Sequence, residues 1–191
     1  MIRMTACVAV VLIAGATLTG CVPAVIAVGA GGTALVATDR RTTGTQVDDE
    51  GVELKIAQQA NAQYGDRIHL NVTSYNGIVL LTGEVPDQGV WASVGNLAKT
   101  TEKVRVVQNE LVVAPNTDMS QRTNDTYITS KVKARFVESD KFSPTHVKVV
   151  TERGVVYLMG IVSRPEGDEA AQLASTTAGV SRVVKLFEYT N

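Results

Sequence analysis

Residues 72–85 read VTSYNGIVLLTGEV and decide the fold. Two runs rich in valine, isoleucine and threonine flank the pair Asn76-Gly77. β-branched residues favour strands, and an Asn-Gly pair favours the tight turn of a hairpin because both positions then need a positive φ. The sequence therefore predicts two antiparallel strands, from Ile68 to Ser74 and from Ile78 to Val85.

The same stretch recurs as VVTERGVVYLMGIV over residues 149–162. Each hairpin glycine has a partner 77 positions later, so that Gly77 matches Gly154 and Gly83 matches Gly160. A repeat of this length indicates two domains and not a solenoid, which needs at least three stacked units. Further matched pairs at this spacing are Asp48 with Asp125, Val72 with Val149, Val85 with Val162, Val106 with Val183, and Val107 with Val184.

The first copy is predicted to run helix, strand, strand, helix, strand. Its first helix is expected to begin at the acids Asp48 to Glu50, which would favour a helix N-terminus. A second helix is expected over 87–100 and a third strand from Val104 to Val113. The residues predicted to face the core are Val52, Ile56 and Ala60 of the first helix and Val90, Val94 and Leu97 of the second.

The second copy is predicted to have the same order. Asn124 or Asp125 is expected to cap a helix that buries Ile128, Val132 and Phe136. Strands are expected over His146 to Val150, Val155 to Val162 and Val180 to Tyr189, with a capping box of Ser163 and Glu166 opening the helix between the last two. The predicted boundaries are 47–113 for the first domain, 114–124 for a linker and 125–191 for the second domain.

The N-terminus has the pattern of an export signal. Arg3 precedes an apolar core from Met4 to Leu18, which ends in Leu18-Thr19-Gly20-Cys21. This ending resembles a bacterial lipobox, which implies a signal peptide over 1–20 and acylation of Cys21. Residues 21–46 are then a flexible tether. A plain transmembrane anchor is the alternative, although Pro23 and the glycines that follow it are poor for a continuous helix.

Composition excludes several classes of function. The net charge of −1 disfavours a nucleic-acid binder, and the two cysteines, Cys7 and Cys21, leave none in the predicted domains for a disulfide or a thiolate metal site. His69 and His146 are equivalent, and a metal site would need carboxylates beside them, so none is expected. Neither a nucleophile elbow nor a phosphate-binding glycine loop is present. The protein is expected to be no enzyme and to take no small-molecule substrate.

The repeated module resembles the BON domain. The resemblance implies an α+β fold of two tandem αββαβ modules, each with a small three-stranded mixed sheet. Together with the lipobox, it implies a lipoprotein that faces the periplasm, with no cofactor besides the acyl chains. Val22, in place of an aspartate after Cys21, resembles the sorting signal of lipoproteins that Gram-negative bacteria deliver to the outer membrane. Phospholipid binding, support of outer-membrane integrity and enrichment at division sites are further implications. The residues that carry the resemblance are Val72, Gly77, Val79, Leu81, Gly83 and Val85, and in the second copy Val149, Gly154, Val156, Leu158, Gly160 and Val162.

The first helix of the second copy is the candidate binding surface. Tyr127, Lys131 and Arg135 recur at four-residue spacing, and Lys133 lies near them. An aromatic ring at headgroup level beside cations suits an anionic phospholipid surface, and Ile128 is included among the expected contacts. The first helix of the first copy is acidic and is expected to be repelled. The alternatives are an ordinary solvated helix face and, for the whole protein, an anchored adaptor that holds envelope proteins.

Overall fold

The computed structural model describes residues 39–116 and 118–190. The predicted signal peptide, Cys21 and most of the tether lie outside these residues. Each module has two helices and a small mixed sheet, which confirms the predicted α+β fold. The first module comprises α1 (Thr43–Tyr64), β1 (His69–Tyr75), β2 (Ile78–Val85), α2 (Gln88–Thr100), β3 (Val106–Asn109) and β4 (Val112–Val113); the second comprises α3 (Met119–Glu138), β5 (Val147–Glu152), β6 (Val155–Val162), α4 (Arg164–Ser175) and β7 (Arg182–Tyr189).

The two sheets pack against each other between two layers of helices. In each sheet the middle strand, β2 or β6, pairs antiparallel with the strand before it and parallel with the strand or strands that follow. Alternate residues of β2, such as Val79 and Leu81, pack against α1 and α2. The residue between them, Leu80, faces the second module and packs against Tyr157 and Met159. Both faces of the middle strands are therefore buried, which explains their nearly continuous apolar sequence.

Both first helices begin earlier than predicted. Thr42 caps α1 and Asp118 caps α3, each through a side-chain oxygen that accepts a backbone N–H. The prediction that Asp48 to Glu50 lie at a helix N-terminus is wrong, as is the cap predicted at Asn124 or Asp125. The segment 119–124, predicted as linker, and 43–46, predicted as tether, are helical.

A buried aspartate on each first helix holds the hairpin turn of its module. The Asp49 carboxylate accepts the backbone N–H groups of Asn76 and Gly77 at 2.7 and 2.9 Å. Asp125 accepts those of Arg153 and Gly154, both at 2.8 Å. Asp49, and not Asp48, is therefore the structural equivalent of Asp125. Equivalent residues lie 76 positions apart in these helices and 77 positions apart in the hairpins.

The predicted third strand of the first module is interrupted. Two side chains bond the backbone of Leu111 between β3 and β4: its carbonyl oxygen accepts the indole N–H of Trp91 at 3.1 Å, and its N–H is donated to Asn109 Oδ1 at 3.2 Å. In the second module Asp168 stands at the position of Trp91, and β7 runs without a break. Trp91 thus packs against the core of its own module and bonds the backbone where the strand is interrupted.

Candidate functional site

The part of α3 that is open to solvent carries one aromatic ring, Tyr127, and two lysines, Lys131 and Lys133. Tyr127 is 62% exposed, and Lys133 is exposed nearly two turns further along α3, about 120° around the helix from Tyr127. The Lys131 ammonium lies 4.5 Å from the centre of the Tyr127 ring and also donates to the carbonyl oxygen of Ala178. A cation over an aromatic face is attracted by the ring quadrupole, so the exposed Tyr127 and the partly exposed Lys131 form one unit at the surface.

Two of the residues predicted to contact phospholipid face inward. Ile128 is fully buried in the core of the second module, so its prediction as a contact is wrong. Arg135 is half-buried and its guanidinium donates to the Leu173 carbonyl oxygen at 2.6 Å and to the hydroxyls of Thr176 and Thr177. These bonds cap the C-terminus of α4, where carbonyl oxygens lack helical partners. Arg135 therefore has a structural role, and Tyr127, Lys131 and Lys133 remain as candidates.

Among the described residues, Lys131 and Lys133 lack the carboxylate partners that several other lysines have. Within residues 39–116 and 118–190, neither Lys131 nor Lys133 forms an ion pair with a carboxylate. An anionic surface could therefore meet either ammonium group without displacing an internal carboxylate. Lysines elsewhere that do pair are Lys103 with Asp48, Lys141 with Glu169, Lys148 with Glu53 and Lys185 with Asp168.

An arginine pair just before α1 contacts both modules. The Arg40 guanidinium forms two hydrogen bonds with the Glu166 carboxylate, at 2.8 and 2.9 Å, and a third with the Ile161 carbonyl oxygen. Arg41 donates to Asp49 at 2.9 Å and lies 4.1 Å over the Tyr75 ring. The segment that leads into the first module is thus fastened to the second.

This fastening changes the acidity of Glu166. Bonding to Arg40 lowers the pKa of Glu166 to about 2, with a further contribution from the Ser163 N–H, although partial burial acts in the opposite direction. A carboxyl with a lowered pKa stabilises the fold above its unfolded pKa of about 4.3, and this contribution is lost as the pH falls through the folded value. The bond is therefore fully present at neutral pH.

Replacing Arg40 with alanine is expected to raise the pKa of Glu166 back towards the ordinary glutamate value of about 4.3. The reason is that the charge-assisted bonds favouring the ionised form are removed. An NMR titration of the glutamate side-chain carboxyls measures this. Lys141→Ala, which removes a partner of Glu169 on the same helix, is the control and should leave the titration of Glu166 in place. An unchanged Glu166 titration in Arg40→Ala would contradict the contact.

None of the helices in the described part of the chain is long and apolar enough to cross a membrane. Residues 48–115 and 124–191 each match the BON domain family. The outer membrane lipoprotein DolP of Haemophilus influenzae is 43% identical over 182 residues, which cover 93% of this chain and 94% of that protein. The 21 kDa hemolysin of Actinobacillus pleuropneumoniae is 37% identical over 79% of each chain. The osmotically-inducible protein Y of Escherichia coli is 31% identical over 73% of this chain and 72% of that protein.

Proposed function

This chain belongs to the BON-domain family as a dual-BON protein similar to DolP, and from that premise we propose that it is an outer-membrane lipoprotein whose second module binds anionic phospholipid. The anchor is the acylated Cys21 and the protein faces the periplasm. Binding supports the integrity of the outer membrane, including at division sites, without catalysis. The observation that supports the lipid contact is the contact of Lys131 with the exposed ring of Tyr127 at the surface of α3, where neither Lys131 nor the exposed Lys133 pairs with a carboxylate of the described residues.

The chemistry of this surface fits the interfacial region of a bilayer. A tyrosine ring is apolar along its body and polar at its tip, so it is stable at headgroup level. Lysine stems cover apolar surface while their ammonium groups remain in water, where they meet lipid phosphates. Each basic residue close to an anionic surface contributes about 1 kcal/mol, and this attraction decays within a Debye length.

The first module provides the contrasting surface. On its α1, Asp49 is buried, and Glu50 is an exposed acid without an ion pair in the part of the chain that the structure describes. The other two acids of this helix pair with lysines, Asp48 with Lys103 and Glu53 with Lys148. An anionic bilayer is not attracted to such a face, which favours contact through the second module. The two modules nonetheless share an apolar cluster between their sheets.

The Lys131→Glu, Lys133→Glu double variant is expected to bind anionic vesicles about 30-fold more weakly, since at least about 2 kcal/mol of attraction is lost. The measurement is flotation of the mature chain carrying Cys21→Ser, so that acyl chains do not contribute, with vesicles of phosphatidylglycerol and phosphatidylethanolamine. Lys55→Glu, Lys99→Glu is the matched control, because these exposed lysines of the first module undergo the same charge change. Circular dichroism checks the fold, and Lys133→Glu alone leaves the Lys131 bond to Ala178 intact.

Equal binding by the α3 variant and the parent chain would contradict the proposal, as would an equal loss in the first-module control. Retained capture of envelope proteins without vesicle binding would favour the alternative function, an anchored adaptor. Mass spectrometry of the processed chain tests the anchor separately, because an unmodified residue 21 would exclude acylation.

A further inference from the structure

One end of the contact between the two sheets holds a histidine between two buried carboxylates. His69 Nδ1 lies 2.8 Å from Glu84 Oε2, and Glu152 of the second module completes the group. One ligand atom from each of the three residues lies within 4.8 Å of the other two. Glu84 is fully buried and Glu152 is 6% exposed. Nitrogen and oxygen donors from both modules therefore converge on a single point.

The repeat shows that this arrangement is not a general requirement of the fold. The equivalent of Glu84 in the second module is Ile161, and the equivalent of Glu152 in the first module is Tyr75. Tyr75 and Ile161 lie together in the apolar cluster between the sheets. The same structural position is thus filled by an apolar pair at one end of the contact and by two carboxylates at the other. The carboxylates are a local specialisation.

The charges of the group favour a cation. Arg153 Nη1 lies 3.2 Å from Glu84 Oε1, and the Asn71 amide donates to Glu152 Oε2 at 2.8 Å. Arg153 brings one fixed positive charge to a group that contains two carboxylates, and Arg122 lines the cavity beside Glu152. Burial of a carboxylate is costly unless its charge is balanced, and a cation bound directly to Glu84 and Glu152 balances both at the shortest distance.

We infer that His69, Glu84 and Glu152 form a binding site for a divalent transition-metal cation of the Zn²⁺ class, which fastens the two modules together. Imidazole and carboxylate donors suit Zn²⁺, whereas Ca²⁺ and Mg²⁺ prefer oxygen donors alone. Bonds of about 2.0–2.2 Å place two ligands of one Zn²⁺ about 3.3 Å apart, so side-chain movements of roughly 1 Å close the site. Arg153 keeps its bond to Oε1 of Glu84 while the cation takes Oε2, and water completes the coordination.

The site is reachable from solvent. A cavity of about 310 Å³ is lined by His69 and Glu152, together with Asn71, Arg122 and Thr151. A second cavity, of about 430 Å³, is also lined by His69. A metal site needs an entry path as well as ligands, and these cavities provide one.

The experiment is a titration of the mature chain with Zn²⁺, followed by calorimetry and by thermal unfolding. Cys21→Ser in all proteins removes the thiol of the mature chain, so cysteine cannot contribute ligands. We expect one Zn²⁺ per chain and a rise in Tm, because an ion that binds the folded state stabilises it. His69→Ala should weaken Zn²⁺ binding at least tenfold. Glu152→Gln should weaken it to the same extent, and it serves as the second test if the His69→Ala protein does not fold.

The matched control is His146→Ala. His146 is the repeat equivalent of His69, but its Nδ1 lies 3.4 Å from Glu166, a carboxylate that Arg40 already holds. This variant should bind Zn²⁺ as the parent does. Absence of stoichiometric binding, unchanged affinity in both His69→Ala and Glu152→Gln, or an equal loss in His146→Ala would each overturn the inference. None of these readouts involves vesicles, so they are independent of the proposed lipid contact.

Discussion

Gly83→Ala is expected to destabilise the protein by about 4 kcal/mol or more, a large share of the 5–15 kcal/mol that stabilises a typical domain. Gly83 has a φ of 117°, and a Cβ at this position would lie 2.0 Å from the carbonyl oxygen of His69. The colliding atom belongs to the backbone of the paired strand β1, so no rotamer change relieves the overlap. The ladder between β1 and β2 must separate locally, with loss of hydrogen bonds, and the positive φ adds strain.

Urea denaturation followed by circular dichroism measures this loss. Gly51→Ala is the control because Gly51 lies within α1 and a Cβ there would contact nothing within 4 Å. Alanine has the higher helix propensity, so this variant should gain roughly 0.5–1 kcal/mol. The same substitution is thus expected to act in opposite directions at the two sites. A Gly83→Ala protein as stable as the parent would show that β1 and β2 approach less closely than described.

Asp49→Ala is expected to cost about 3–5 kcal/mol, as is usual when one member of a buried charged pair is removed. The Asp49 carboxylate is 3% exposed and accepts from the Ser74 hydroxyl and from Arg41, in addition to the two turn N–H groups. The substitution leaves these donors without their acceptor in a buried place. The hairpin turn also loses its attachment to α1.

Asp48→Ala is the control for this prediction, because the neighbouring aspartate is partly exposed and its carboxylate pairs with Lys103 at the surface. It should change the free energy of unfolding by less than about 0.5 kcal/mol. Equal effects of Asp48→Ala and Asp49→Ala in denaturant titrations would contradict the assignment of Asp49 as the buried anchor.

Acid should lower the folding stability of the parent chain through protonation of Asp49. Burial raises the pKa of Asp49, but its hydrogen bonds to Ser74, Gly77, Arg41 and Asn76 outweigh burial and lower it. The stabilising contribution is therefore complete above the unfolded value of about 3.9 and is lost as the pH falls through the lower folded value. The Asp49→Asn variant should lack this part of the acid dependence.

The hairpins could be predicted from sequence because their signals are local. Asn76-Gly77 and Arg153-Gly154 adopt the positive φ values that the turn requires. The helix starts could not be predicted in the same way. The first turns of α1 and α3 are polar and precede the apolar periodicity. No apolar residue at helical spacing therefore follows Thr42 or Asp118 closely enough to mark either of them as a helix cap.

The candidate surface was only partly predictable. The charge and spacing of Tyr127, Lys131 and Lys133 are visible in the sequence, and so was the inward direction of Ile128, which shares four-residue spacing with Val132. The role of Arg135 was not visible, because it depends on how the end of α4 packs beside α3. The meeting of His69 with Glu152 depends in the same way on contact between distant parts of the chain.

The packing of β2 against β6 has a consequence for how such a protein can diversify. Leu80 and Tyr157 are repeat equivalents, and both lie in the same shared cluster, as equivalent residues do at the two-fold axis of a homodimer. In a homodimer every substitution beside the axis appears twice. Joining both halves in one polypeptide removes that constraint, so Glu84 and Ile161 could diverge at mirrored places. Covalent fusion thereby turns a symmetric contact into one with two chemically different ends.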